Sequence, residues 1–228
     1  MDKPKLSVIV PVLNEVDKIG AMLNTWQHRR NDGIEIIVVD GGSQDGTEKL
    51  VAGYVDAFYV SNRGRACQMN HGASYARGDT LLFLHADTEM PESAFRSLMM
   101  FCESNDDGWG FFPIAFDNSA LAYKIIAFFM NVRTRLTSVS TGDQCQFVSA
   151  ELFHRVGRFE EIPLMEDVSL SKRMRSVAKP TILPFKVCTA ARRWETKGIL
   201  TTVLLMWLLR LAYFLGVSPE KLHKAYYR

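Results

Sequence analysis

Five short stretches of this 228-residue chain place side chains where chemistry is done, each at the end of a predicted strand or the start of a predicted helix. Val39-Asp40-Gly41-Gly42-Ser43-Gln44-Asp45-Gly46-Thr47 sets a carboxylate at a strand's carboxyl end. The glycines after it let a ligand approach the backbone, which suits a ribose hydroxyl or a base edge. An ordinary turn capped by Asp45 or Thr47 is the other reading. In Val10-Pro11-Val12-Leu13-Asn14-Glu15, Asn14 and Glu15 suit a helix start structurally and a ligand loop functionally. Asn62-Arg63-Gly64-Arg65 opens a helix with two forked cations around a glycine, fit either to hold phosphate or to form a solvated basic turn. Leu84-His85-Ala86-Asp87 delivers a hard carboxylate oxygen of the kind that binds Mg²⁺ or Mn²⁺ beside a leaving diphosphate. Met165-Glu166-Asp167 puts two carboxylates about 100° apart on a helix, so one can face a cleft while the other caps or pairs, unless both are solvated.

Several chemistries fail on detail. The glycine loop is not GxGxxG, and a GxxxxGK[ST] phosphate loop would need a lysine that is missing here. A phosphatase of DxDxT type needs Asp at position 85, which is His85. Cys67, Cys102, Cys145 and Cys188 lie 35 to 43 residues apart, with no CxxC pair and no zinc spacing. They read as buried free thiols in a reducing compartment. The apolar run after Met1 is short and broken by Pro11, so no signal peptide is read and a cytoplasmic body is expected.

The elements that must position these loops alternate. Strands are predicted over Leu6–Val10, Ile34–Val39, Ala57–Val60 and Thr80–Leu84, with helices over Asn14–Arg29, Gly46–Tyr54 and Arg65–Ala76. Such alternation predicts right-handed βαβ units in an α/β fold with a Rossmann-like, mainly parallel sheet, its ligands beyond the strands' carboxyl ends. The later chain is read as a helix from Pro91 to Ser104, a strand over Trp109–Phe116, a helix over Ser119–Thr137, a strand over Gln144–Val148, a helix over Leu164–Val177 and a strand over Thr181–Val187.

Taken in order, Val8–Glu15, Val38–Thr47, Asn70-x-Gly72 with Arg77-Gly78-Asp79, Leu84–Asp87 and Met165–Asp167 resemble the family 2 glycosyltransferases. Within that family, Arg63–Asn70, His85-Ala86-Asp87 and Gly142-Asp143-Gln144 resemble a small bacterial subgroup of radical-SAM/selenodomain-associated transferases. The resemblance implies a GT-A fold, a nucleoside-diphosphate sugar donor with a UDP-sugar favoured, a divalent cofactor (Mn²⁺ or Mg²⁺), and inversion at the anomeric carbon. By position, Pro11, Asn14, Glu15, Asp40, Gly42, Asp45, Arg63, Arg65, Asn70, His85 and Arg193 become donor-binding candidates. Asp87 becomes the metal ligand, Asp167 the general base, and Glu166 its catalytic neighbour. The family usually writes Asp-x-Asp where this chain has His85-Ala86-Asp87, so His85 takes an uncertain first acidic place. The rivals are a nucleotidyltransferase and a non-catalytic nucleotide-sugar-binding protein.

The division expected is a GT-A domain over residues 1–190, its nucleotide-binding half about 1–90 and acceptor half about 91–190, then an extension over 191–228. The chain carries 27 Lys plus Arg against 25 Asp plus Glu, a formal +2. That near-neutral sum hides an asymmetry, because residues 179–228 hold nine Lys/Arg and two Glu and the rest is net acidic. No nucleic-acid partner is expected; the basic end asks for another anionic partner. Ile199–Val217 is 19 residues of mostly apolar chain with Arg210 inside it. At helical spacing Thr202, Met206, Arg210 and Tyr213 form a narrow polar stripe. Core packing, a homodimer contact, a helix on an anionic membrane surface at the inner face of the membrane, and a span all remain open. Leu121–Val132 is a second apolar helix, either core or a wall of the acceptor site. An exposed Phe128-Phe129 pair there would favour a lipid or aromatic acceptor.

Overall fold

The structure, a computed structural model, describes residues 3–104, 107–192, 195 and 198–227. Its main sheet has seven strands in the order β3-β2-β1-β4-β8-β6-β9. They are β1 (Leu6–Val12), β2 (Ile34–Asp40), β3 (Ala57–Val60), β4 (Thr80–Phe83), β6 (Trp109–Phe111), β8 (Phe147–Ser149) and β9 (Thr181–Ile182). β3, β2, β1 and β4 run parallel, whereas β8 is antiparallel to both β4 and β6. Helices α1 (Val16–Gln27), α2 (Thr47–Val51) and α3 (Arg65–Tyr75) make the crossovers. The expected α/β layout is therefore present, and its carboxyl-end loops converge.

β1 and β2 are buried on both faces, as crossover helices require. Successive β1 side chains point to opposite faces: Leu6, Val8 and Val10 pack with Trp26 and Phe95, while Ile9 packs with Phe83, Trp109 and Phe153. Pro11 sits within β1 beyond Ile9, the last β1 residue paired with β4, so its missing N–H breaks no bond on that side. Buried Glu35 accepts from Ser7, from the Arg77 backbone and from the Arg77 guanidinium at 2.8 Å, which gives Arg77-Gly78 a structural task.

The second half departs from expectation at its prolines. The strand expected over Trp109–Phe116 is cut at Phe112-Pro113: β6 stays in the main sheet, and β7 (Ile114–Phe116) joins a small sheet of order β5-β10-β7. Its other strands are β5 (Thr88–Glu89) and β10 (Val187–Thr189). The strand expected over Thr181–Val187 likewise splits into β9 and β10 around Pro184. Residues Gly142–Gln144 form a 3-10 turn rather than the start of β8. Helix α4 covers Glu92–Glu103, α5 Leu121–Thr137, and α7 Glu166–Val177. The unforeseen α6 (Ala150–Arg155) is started by Ser149, whose hydroxyl accepts the Leu152 N–H at 3.1 Å.

The apolar end of the chain forms α8 (Ile199–Phe214) and a shorter α9 (Pro219–Tyr226). Leu209, Leu222 and Tyr226 bury against Val139, Met165 and Val168, with Leu205, Met206 and Tyr213 alongside. Thr202, on the narrow polar stripe, is only 2% exposed. The stripe therefore faces the body, and Leu204, Trp207, Leu208, Leu211, Phe214 and Leu215 face outward. Among the described residues no helix is long and apolar enough to cross a membrane.

Candidate functional site

Asp40 ends β2, buried, and its Oδ1 accepts from Gly42 N (3.0 Å), Ser43 N (2.9 Å) and Ser43 Oγ (2.7 Å). The carboxylate thus shapes the glycine loop it was expected to share with a ligand. A second set of bonds ties this loop to the one after β1. Asn14, in the left-handed region at φ +55°, receives Gln44 N on its Oδ1 at 2.9 Å and donates its own N–H to Ser43 Oγ at 2.8 Å. Asp45 accepts from Val16 N at 3.0 Å and from the Thr47 hydroxyl, and that hydroxyl accepts Glu15 N at 3.1 Å. Asn14 and Asp45 are thereby fixed as struts between two loops, a role their capping propensity already suggested. Gln68, absent from the candidates, clamps the same strand ends from α3: its Nε2 donates to Val12 O at 2.7 Å and Val39 O at 2.9 Å.

Asn70, a donor-binding candidate, is held by the backbone of Phe159. Its amide donates to Phe159 O (2.9 Å) and accepts Phe159 N (3.1 Å), joining α3 to the segment before α7. That backbone offers the amide both partners at once. Arg63 is exposed beside the start of α3. Arg193 lies outside the described residues.

The charged centre lies among Glu15, Lys18, Arg65, Asp87 and Arg192. Lys18 Nζ stands 3.8 Å from Asp87 Oδ2 and 3.9 Å from Glu15 Oε2. Burial raises the Glu15 pKa; Lys18 opposes the rise, Asp87 adds to it, and the more distant Arg192 and Arg65 oppose it. Asp87 keeps about a third of its side chain exposed. No group of three His, Cys, Asp or Glu residues able to enclose a metal exists among the described residues. The donor set fits a different mode, one carboxylate oxygen on a hard cation whose other ligands are phosphate oxygens and water.

The carboxylate pair starts α7. Asp167 Oδ2 accepts the Gly142 N–H at 2.8 Å, and its Oδ1 accepts Val168 N at 2.7 Å. Glu166 is 5% exposed; burial first, then Asp167, pushes its pKa up to about 7, with Arg65 and His85 pulling it down. Burial also raises Asp167, against those two backbone N–H bonds. Arg65 is exposed at the start of α3; nearby protein atoms disfavour its charge, yet Glu166 and then Asp143 raise its pKa above the ordinary arginine value. His85 Nδ1 is 3.7 Å from Asp143 Oδ1, and its ring lies against Gly142, where a Cβ would come within 2.5 Å of Cε1. A Cβ there would force the His85 ring to move.

Behind this turn is a buried amide framework that the sequence did not single out. Gln146 Nε2 donates to Ser140 Oγ (2.7 Å) and Ser171 Oγ (2.8 Å), and Gln144 Oε1 accepts from Thr134 Oγ1 (3.0 Å). Helix α5 also supplies Arg133, whose charge faces Asp167 and Asp143; burial lowers its pKa to about 10. Its Nε is buried without a hydrogen-bond partner. Spacing alone gives no sign of it, because Arg133 stands in an apolar helix.

An α/β body whose strand-end loops gather carboxylates and cations is of nucleotide-binding class. The profile of glycosyl transferase family 2 matches residues 7–156, and the chain belongs to that family. It is 34% identical over 107 residues to a dolichyl-phosphate beta-glucosyltransferase of Drosophila melanogaster, covering 39% of this chain and 33% of that protein. It is 33% identical over 90 residues to the uncharacterized glycosyltransferase YfnE of Bacillus subtilis, covering 36% and 23%. The match thus spans a third or less of these relatives' own length. Among solved structures, the mannosyltransferase PcManGT from Pyrobaculum calidifontis, in complex with GDP-Man and Mn²⁺, superposes with TM-score 0.68 at 19% identity, covering 99% of this chain and 69% of that one. TarS of S. aureus in complex with UDP gives 0.63 at 18%, covering 82% and 60%. The fold is GT-A.

Proposed function

We propose that the protein moves a sugar from a nucleoside-diphosphate sugar to an acceptor nucleophile with inversion at the anomeric carbon. The observation that carries this reading is the clustering of Glu15 and Asp87 with Lys18 and Arg192, and of the Glu166-Asp167 pair with Arg65, whose charge also acts on Glu15. Residues of about 1–90 would hold the donor, those of about 91–190 the acceptor, and 191–228 would extend the acceptor side. The likeness to structures holding UDP and GDP-Man supports a nucleotide-sugar donor, and the family resemblance favours UDP. A reducing cytoplasmic compartment suits the four free thiols.

The nucleoside packs beside Asp40 and the Pro11–Glu15 loop, its hydroxyls toward Asp40 Oδ2. Lys18, Arg65 and Arg192 neutralise the diphosphate. Asp87 would hold Mn²⁺ or Mg²⁺, which supplies charge compensation to the leaving nucleoside diphosphate. Asp167, oriented by Gly142, accepts the proton from the acceptor O–H. The oxygen forms its bond to the anomeric carbon as the carbon–phosphate oxygen bond breaks, and nucleoside diphosphate leaves with that electron pair. Burial makes this aspartate more basic than usual, and being held in line adds to its effect.

A thermal-shift panel of nucleoside diphosphates with and without Mn²⁺, followed by product analysis, tests this. A selective shift and release of nucleoside diphosphate are expected. Pyrophosphate release from a triphosphate would instead indicate a nucleotidyltransferase, and binding without turnover a binding protein.

A further inference from the structure

Two helices carry apolar stripes that the fold leaves uncovered. On α8, Leu204, Trp207, Leu208, Leu211 and Leu215 recur at i, i+3, i+4, i+7 and i+11, between 57% and 76% exposed. On α5, Leu121, Ile125, Phe128, Phe129, Val132 and Leu136 form a second outward stripe, and Phe128 and Phe129 are 61% and 60% exposed. Contiguous apolar surface of this kind marks an interaction face. Polar and buried positions of α8 are used on the body, so the usual order of an amphipathic surface helix is reversed.

We propose that these two faces dock the protein on an anionic lipid bilayer, which rests on the transferase reading only in placing the acceptor there. Charge chooses the occupant. Neither α5 nor α8 contains an Asp or Glu, whereas α5 carries exposed Lys124 and Arg135 and α9 adds exposed Lys221 and Lys224. Like-charged faces disfavour a second copy of this chain, while anionic headgroups attract them. Length fixes the pose: sixteen helical residues reach about 24 Å, short of the roughly 30 Å hydrocarbon core, so α8 lies flat in the interface.

The helix that carries the docking face packs, by its other side, close to the base. Val139, two residues past α5, packs in the same cluster as Leu209 of α8 and Val168 of α7, next to Asp167. Arg175 of α7 donates to Thr137 O, at the end of α5. An acceptor embedded by an apolar tail would thus present its reacting head beside Arg133 and Asp167.

The test is flotation of the full chain with vesicles of phosphatidylglycerol and phosphatidylcholine, against phosphatidylcholine alone. Binding to the anionic vesicles is expected, weakened at least tenfold by Leu208→Glu with Leu211→Glu, while the thermal shift with nucleoside diphosphate is unchanged. Brominated lipid should quench the wild type more than Trp207→Phe, a reading that does not depend on the double variant folding. Failure to float, or equal quenching, overturns the proposal. So does a dimer by light scattering that the double variant dissociates, since a second copy then covers the face. Flotation without any nucleotide shift would leave docking standing and refute the transferase reading instead.

Discussion

Gly142 donates its N–H to Asp167 Oδ2 at 2.8 Å, so the position of the proposed base is set by a turn 25 residues earlier in the chain. The same glycine carries His85 on its other side, too close for any Cβ. The His85 loop, the turn and Asp167 are therefore one packed unit, and a disturbance at Gly142 reaches both His85 and Asp167.

Gly142→Ala is expected to shift the turn, lower stability by about 1–3 kcal/mol, and cut turnover at least tenfold. Adding His85→Ala removes the ring that the new methyl meets and should restore much of the stability. Thermal unfolding and nucleoside-diphosphate release measure the two effects; an active, fully stable single variant would show that the turn is not restrained.

Asp167→Asn retains the shape and one acceptor oxygen while losing the basic carboxylate. Donor affinity should hold within about twofold, and transfer should fall by roughly 10²–10⁴. Wild-type turnover in that variant refutes the assignment of the base.

How far the sequence already carried this site depends on how local each signal is. The parallel strands and their carboxyl-end loops were legible because Leu6–Val10, Ile34–Val39 and Thr80–Leu84 are short apolar runs separated by helices. The splits at Pro113 and Pro184 were less so: proline weakens a strand without saying which sheet the next residue joins. Gln68 and Gln144 lie in stretches that carry the family resemblance, but their structural tasks, and that of Gln146, were invisible because a buried amide has no sequence pattern; its partners are backbone carbonyls and hydroxyls up to 56 residues away. The outward apolar face of α8 also escaped, since periodicity finds two faces but not which one the body covers.

Asn70 offers a contrast between strut and ligand. Asn70→Ala leaves Phe159 N and O without their partner, a cost of about 1–3 kcal/mol. Nucleotide affinity measured on the folded fraction should stay unchanged. A loss of affinity without a fall in melting temperature would return Asn70 to the donor site.

Lys18 stands within 4 Å of both Asp87 and Glu15, where the proposed diphosphate would meet it. Lys18→Ala should weaken nucleoside-diphosphate binding on the order of tenfold, about 1.4 kcal/mol, with little change in melting temperature. Calorimetric titration at two salt concentrations would check it, the loss shrinking at higher salt as charge is screened. Unchanged affinity at low salt would remove Lys18 from the site.

Glu166 gives a pH dependence whose sign is fixed. Its carboxyl titrates near 7 in the folded protein against 4.5 ordinarily, so the native state holds the proton more tightly than the unfolded chain. Its contribution to stability is full below about pH 4.5 and falls as pH rises through 7. Glu166→Gln removes the ionisation, so unfolding free energy against pH should be flatter across that window. At pH 8 the variant should be the more stable, by about 1–3 kcal/mol, Arg65 having lost a partner in the exchange. Parallel stability curves for the two proteins would mean that Glu166 is ionised throughout.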